Sequence, residues 1–178
     1  MFFEKVIESV NEIAKKYSEQ EVTFLTESDF KVHLSNLIGS KFSDNITVNT
    51  ESPWYDTYIT NKTYYIDITA FDKNKLQITY DPNLNRKGYK YDDEALAIEL
   101  KYFRHKDDIN EIIKDFDKCN LLVKAPKNEC FIIAMARTEE LSSEANKVME
   151  TQMEKYRNEY GDRVKVYLIS PSQLIEIK

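Results

Sequence analysis

The 178-residue chain has few of the residues that interrupt regular structure, and few thiols or imidazoles. It contains only 3 glycines and 4 prolines, which argues against a disordered or linker-rich protein. Two cysteines (Cys119 and Cys130, with no CxxC pair) and two histidines do not make a zinc site. We therefore expect two buried free thiols in a reducing cytoplasm. No apolar run approaches the ~20 residues that span a bilayer, and charges interrupt the N-terminal segment, so neither a membrane span nor a signal peptide is expected.

What the chain does have is a large apolar fraction together with many charges. Hydrophobic residues make up 42% and charged residues 31%, with a formal net charge of −6. These values predict one globular domain over residues 1–178, with a sizeable core. The negative charge disfavours DNA binding over the whole surface. It is compatible with a metal site, which needs carboxylates, and with a local basic strip. The sequence has no glycine-rich phosphate loop, serine nucleophile elbow or Cys–His signature.

Apolar periodicity predicts an alternating arrangement of helices and strands. Helices are expected over residues 2–17, 27–42, about 108–124, and from Thr138 to Gly161. Strands are expected over Ile46–Thr50, Tyr64–Ala70, Ala95–Phe103, Cys130–Ala136 and Val164–Ser170, with Leu76–Tyr80 as a possible hairpin partner of the second and residues 81–94 as a polar loop. Short early links favour antiparallel pairing, and the later alternation favours parallel crossovers. The sequence thus predicts an α/β fold with a single mixed sheet of about five strands flanked by helices on both faces. The N-terminal helix 2–17 would pack on a core of residues 26–178.

Three charged residues stand inside hydrophobic strands. Asp67 lies in YYIDIT, and Glu99 and Lys101 lie in AIELKYFR. Because strand side chains alternate faces, Glu99 and Lys101 should share a face, and Ile66 and Ile68 should lie on the face opposite Asp67. If the two strands are neighbours, both carboxylates can reach one divalent cation, with the carbonyl of Leu100 as a further ligand. The alternative is that Glu99 and Lys101 are a surface charge pair.

The arrangement resembles the PD-(D/E)xK nuclease superfamily, which has the restriction endonuclease-like fold. The match is Asp67 on one strand and Glu99-x-Lys101 on the next, although Ile66 replaces the proline of the motif. The predicted element order over residues 27–170 is also similar to that family's core. The resemblance implies that Asp67, Glu99 and Leu100 hold Mg²⁺, with Mn²⁺ as a substitute, and that Lys101 assists the attacking water and the transition state.

Several other residues are candidates for the same site. Many members of the superfamily carry a helix-borne glutamate, and Glu27 matches that position as a metal ligand; an acid favoured by the helix dipole explains it equally well. Asp72 is a weaker rival of Asp67, and Glu51 is expected to be a solvated residue at a strand end. Lys114 and Lys118 have two alternative interpretations. They could contact the backbone of a substrate, or they could form ion pairs with nearby acids.

Basic residues on either side of Glu99 are candidates for substrate binding. Such residues, interleaved with tyrosines, suit phosphate contact and base stacking, although a solvated loop is the simpler reading for any one of them. The candidates are Arg86, Lys87, Lys90, Arg104 and His105.

The expected activity is that of a Mg²⁺-dependent nuclease that hydrolyses phosphodiester bonds, with DNA as the expected substrate. Cleavage of both strands of a duplex requires two sites, so a homodimer is expected. The alternative is a catalytically inactive nuclease-like fold that binds nucleic acid or protein. A third reading is an α/β domain without a metal site.

Overall fold

The computed structural model describes residues 2–55, 63–81, 86–91, 94–125 and 127–178. Its helices are α1 (Phe2–Ser18), α2 (Glu27–Lys41), α3 (Ile112–Leu122) and α4 (Glu139–Tyr160). Its strands are β1 (Ile46–Tyr55), β2 (Thr63–Asp72), β3 (Leu76–Asp81), β4 (Arg86–Tyr91), β5 (Ala95–Phe103), β6 (Asn128–Ala136), β7 (Val164–Ile169) and β8 (Leu174–Ile177). Short 3₁₀ turns cover Lys73–Lys75, Lys106–Glu111 and Gly161–Arg163.

Six of the strands form one mixed sheet in the order β1-β2-β5-β6-β7-β8. The pairs β5–β6 and β6–β7 are parallel, whereas the remaining pairs are antiparallel. This confirms the predicted α/β fold with a mixed sheet. The sheet has one strand more than expected because the chain turns back after Pro171 and adds β8 to the edge of β7.

The remaining two strands correct the prediction for residues 76–94. Leu76–Tyr80 does not pair with β2. It belongs to β3, which pairs with β4 in a separate antiparallel ribbon, so residues 86–91 are a strand rather than a loop. The reason is that both edges of β2 are already taken, by β1 and by β5. A hairpin that follows β2 therefore cannot pair with β2, and its two strands pair with each other.

Helices cover both faces of the six-stranded sheet. On one face α1 and α2 pack against Ile68 and Ile98, and on the other α3 and α4 pack against Ala97 and Ile132. The middle strands β5 and β6 are therefore buried on both sides, which explains their nearly continuous apolar sequences.

The start of α2 is fixed by a capping box. The Asp29 N–H donates to Thr26 Oγ1 at 3.1 Å, and the Thr26 N–H donates to the Asp29 carboxylate at 2.9 Å. This confirms the predicted helix start, and it places Glu27 in the first turn of α2.

Both cysteines are buried free thiols, as predicted. Across the part of the chain that the structure describes, no helix combines the length and the apolar character that a bilayer span requires.

Candidate functional site

The site lies where β2 and β5 separate. Their paired register covers only Ile68–Phe71 and Ala95–Ile98. Beyond it the side chain of Asp67 replaces the backbone ladder, because its Oδ2 accepts the Leu100 N–H at 2.8 Å. We call the gap between the two strands the fork. An N–H and a C=O of one strand residue point to the same neighbouring strand, so the Leu100 carbonyl also faces the fork.

The backbone of β2 departs from simple alternation at Asp67. Ile66 packs with the α3/α4 core, whereas Ile68 packs with the α1/α2 core. The prediction that both lie on the same face is therefore wrong. Opposite Asp67, Glu51 has a φ of +52° and is skipped in the β1–β2 register. Such a backbone conformation is rare for a residue other than glycine, and it interrupts the β1–β2 ladder next to Asp67.

Glu51 lies inside β1 and not at its end, contrary to the prediction. Its carboxylate is 62% exposed and bonds to the ammonium of Lys31, a residue of α2. Lys31 Nζ is also 2.7 Å from Asp67 Oδ1. Burial lowers the pKa of Lys31, but its bonds to Asp67 and Glu51 outweigh this, so the net shift is upward. Lys31 thus acts as a counter-ion for two carboxylates.

Glu99 is almost completely buried, with 2% of its surface exposed. Its Oε2 is 2.6 Å from Lys118 Nζ, which also donates to the Tyr65 carbonyl at 3.0 Å. Its Oε1 is buried without a hydrogen-bond partner. Burial raises the pKa of Glu99 to about 8 against the opposing charge of Lys118, and the charges of Asp67 and Asp115 raise it further. Glu99 therefore has one oxygen that lacks a partner.

Lys101 shares the fork with Glu99 but pairs loosely. Its Nζ lies 3.8 Å from Glu27 Oε2 and 3.8 Å from Glu111 Oε2. Glu27 is anchored by a hydrogen bond from the Tyr102 N–H to its Oε2 at 3.0 Å. The first turn of α2 is thus joined to β5. Glu27 lies at a helix start, where the helix dipole favours an acid, and it also borders the fork.

A further carboxylate comes from α3. Asp115 is 8% exposed and its Oδ2 has no partner. Burial raises the pKa of Asp115 to about 7, although the charges of Lys101 and Lys118 oppose the shift. Asp67 and Glu27 raise this pKa as well, so Asp115 responds to charges from both strands and from α2.

The side chains around the fork carry more negative than positive charge. We define the fork cluster as the six acids Glu27, Glu51, Asp67, Glu99, Glu111 and Asp115 and the three lysines Lys31, Lys101 and Lys118. With every group ionised, six carboxylates and three ammonium groups give a formal charge of −3. Such an excess favours a cation or bound protons.

The donor types fit a hard divalent cation. Carboxylate and carbonyl oxygens are the ligands that Mg²⁺ prefers, and the unpaired Glu99 Oε1 supplies an acceptor without a competing donor. Within the described residues, however, no three His, Cys, Asp or Glu side chains lie close enough together to hold a metal ion. In this arrangement Lys31 and Lys118 occupy Asp67 and one oxygen of Glu99.

Other predicted residues lie away from the fork. Asp72, at the end of β2, accepts the Asn74 N–H at 2.9 Å and caps a 3₁₀ turn, which keeps it below Asp67 as a candidate. Arg104 and His105 are exposed just beyond β5, and their backbone N–H groups donate to Asp108. The structure places the backbone of Arg86, Lys87 and Lys90 in β4, but their side chains lie outside the described part.

Sequence reasoning missed Lys31 and Asp115, and it assigned Lys118 to substrate or to helix neighbours. Each of the two missed residues stands on the buried stripe of its helix: Lys31 with Leu34 and Ile38, and Asp115 with Ile112. A charge at an apolar position of a helical repeat is the signal that would have found them. Lys118 points to Glu99 on β5, so its partner is on the sheet.

Comparisons with known proteins add no relative: no family model matches the chain, and no curated protein or solved structure matches it.

Proposed function

We propose that the protein is a divalent-metal-dependent nuclease that hydrolyses phosphodiester bonds in DNA. The observation that carries the proposal is the buried Glu99, which has one unpartnered oxygen at the fork where Asp67 contacts the backbone of Leu100. A carboxylate in this setting is costly unless a proton or a cation neutralises it. The adjacent lysine, Lys101, is only loosely paired and so can interact with a bound anion.

Asp67, Glu99 and the Leu100 carbonyl would hold Mg²⁺, for which Mn²⁺ would substitute. The metal supplies a water of lowered pKa and positive charge next to a phosphate. Lys101 would neutralise a phosphate oxygen or orient the attacking water. Glu27, anchored by the Tyr102 N–H, would accept a hydrogen bond from that water or serve as a further ligand.

Cation binding would require a rearrangement of two ion pairs. Lys31 bonds to Asp67 and Lys118 bonds to Glu99, so each lysine must yield its carboxylate to the metal. Both lysines are long and flexible, and their charges would then be available to a phosphate. We therefore expect metal binding to be measurable in its own right, separately from catalysis.

The expected partners follow from the same proposal. Arg104 and His105, exposed beyond the end of β5, would contact the DNA backbone, as would Arg86, Lys87 and Lys90. A homodimer would supply the two sites needed to cut a duplex. A cytoplasmic location agrees with the two buried free thiols.

The test is cleavage of supercoiled plasmid, branched DNA and single-stranded DNA in Mg²⁺ or Mn²⁺. Glu99→Gln and Lys101→Ala should each reduce the rate on the order of a hundredfold or more. Lys147→Ala is the matched control, since Lys147 is exposed on α4, outside the fork cluster. Equal rates for all variants, or absence of cleavage by the wild-type protein on every substrate, would contradict the proposal.

A second candidate function is binding without catalysis. It is favoured by the ion pairs of Lys31 and Lys118, which neutralise Asp67 and Glu99 without any metal. A protein of this kind would bind DNA or a protein partner, and Mn²⁺ would not raise its melting temperature. The nuclease proposal requires the opposite result, because a ligand that binds only the folded state raises stability.

A further inference from the structure

Asp115 is a buried acid on the inner face of α3. Its neighbours on that face are apolar: Ile112, Phe116 and Cys119 are each 0% exposed. Its helix neighbour Lys118, three residues on, lies at the spacing of a helical ion pair. Yet Lys118 donates to Glu99 and to the Tyr65 carbonyl. Asp115 Oδ2 is left without a hydrogen-bond partner.

The lysines of the fork cluster are already engaged with other acids. Lys31 forms ion pairs with Glu51 and Asp67, and Lys118 forms one with Glu99. Lys101 lies 3.8 Å from both Glu27 and Glu111. The fork cluster therefore contains two buried carboxylate oxygens without donors, one on Glu99 and one on Asp115. The charge of Asp115 raises the pKa of Glu99, and Lys118, one helical turn after Asp115, bonds to Glu99 at 2.6 Å, so the two acids border the same lysine.

Burial of an acid on a helix face otherwise built of apolar residues needs a compensating interaction. Protonation is one solution, and it would make the second oxygen a donor that also needs a partner. A divalent cation bound between the two side chains would satisfy both oxygens and offset the excess negative charge of the fork cluster.

We propose that Asp115 is a cation ligand, and that together with Glu99 it forms the α3 side of a divalent-metal site. This inference rests on the proposed function, and it extends the ligand set beyond the residues that the sequence motif indicates. The site forms when the side chains of Glu99 and Asp115 close on the metal and Lys118 yields its bond to Glu99.

The experiment compares Asp115→Asn with wild-type protein and with Asp117→Asn. Asp117 is an exposed acid on the same helix, where it bonds to Tyr156, so the amide change at this position is a matched control. Mn²⁺ affinity is measured by titration calorimetry. The number of waters on bound Eu³⁺ is measured from luminescence decay in H₂O and D₂O.

Loss of a ligand has two expected signatures. Asp115→Asn should bind Mn²⁺ on the order of tenfold more weakly or worse. Its bound Eu³⁺ should also gain about one water, because solvent fills a coordination position that the protein leaves open. Asp117→Asn should match the wild-type protein in both measurements. Asp115→Ser provides a second variant should the amide reduce solubility.

Unchanged Mn²⁺ affinity would overturn the inference. Weaker affinity with an unchanged water count would also overturn it, since Asp115 would then act by charge alone.

The test separates this inference from the proposed function. If wild-type protein cuts DNA and Asp115→Asn retains full Mn²⁺ binding, only the assignment of Asp115 fails. If Mn²⁺ binding depends on Asp115 and the wild-type protein cuts no DNA, the nuclease proposal fails and the ligand assignment stands. If wild-type protein binds neither ion, both fail.

Discussion

Replacement of Glu99 by glutamine should change how stability depends on pH. Burial raises the pKa of Glu99 from 4.5 to about 8, so between these pH values the folded protein holds a proton that the unfolded chain has lost. The free energy of unfolding therefore falls as pH rises through this window, and it is fully reduced above pH 8. Glutamine cannot ionise, so it mimics the protonated form at every pH.

The size of the effect follows from the width of the window. Each pH unit changes the free energy of unfolding by about 1.4 kcal/mol, and the complete window corresponds to about 3–5 kcal/mol. In a chelator and without divalent metal, Glu99→Gln should match wild type near pH 5 and exceed its stability by about 3–5 kcal/mol at pH 8.5. The retained Tyr65 carbonyl still accepts from Lys118, so the lysine keeps one partner.

The assay is urea unfolding followed by circular dichroism at several values between pH 5 and pH 8.5. Glu94→Gln is the control, because Glu94 is exposed just before β5 and its loss should leave the wild-type pH profile intact. Parallel profiles for wild type and Glu99→Gln would refute the reasoning that burial of Glu99 dominates its ionisation. A profile of wild type that flattens on addition of Mn²⁺ would show that a cation takes the place of the proton.

Three further outcomes are expected. Thr26→Ala removes the hydroxyl that caps α2 and should lower the free energy of unfolding, measured by urea titration, by about 1 kcal/mol. An unchanged free energy of unfolding would show that the cap does not stabilise the protein. Lys31→Met leaves Asp67 without its buried counter-ion and should cost about 3–5 kcal/mol at pH 8, measured the same way, with a smaller loss contradicting the pairing. The thiols of Cys119 and Cys130 should react with a thiol reagent only at the rate of unfolding, and fast reaction in native buffer would argue against their burial.

The central strands could be predicted from sequence because a single physical rule determines them. The predicted bounds of β5, Ala95–Phe103, are those observed, since burial on both faces imposes a continuous apolar run. The helices α1 and α2 were also predicted, from apolar periodicity and, for α2, from the Thr26 and Asp29 capping box. Local rules suffice where local and tertiary preferences agree.

The pairing of β3 could not be predicted in the same way. A strand that follows β2 along the chain would ordinarily pair with it, but β5, which is 23 residues later in sequence than Asp72, occupies that edge. Edge availability depends on the whole sheet and is not visible in the segment itself. The polar composition of residues 86–91 similarly predicts a loop. The segment forms a strand only because it pairs with β3.

The partners of the site residues were the least predictable part of the molecule. Sequence spacing brought Asp67, Glu99 and Lys101 together as candidates, but long side chains reach across elements in ways that spacing does not specify. Lys118 bypasses Asp115 on its own helix to contact Glu99 on a strand. The lysine counter-ions became visible only once the packing of helices on the sheet was known.

Several departures from local rules share one location. Glu51 has a positive φ, and the two neighbours of Asp67 in β2 pack on opposite faces of the sheet. The β2–β5 pairing also stops at Ile68, next to Asp67. Two buried acid oxygens without partners lie beside the same break. A fold optimised for stability alone would continue the ladder and place apolar residues there. Concentration of strain, unpaired acids and excess charge in one fork is the pattern expected where a protein holds a ligand. For this reason the metal-binding measurements are the most direct test of what the fork is for.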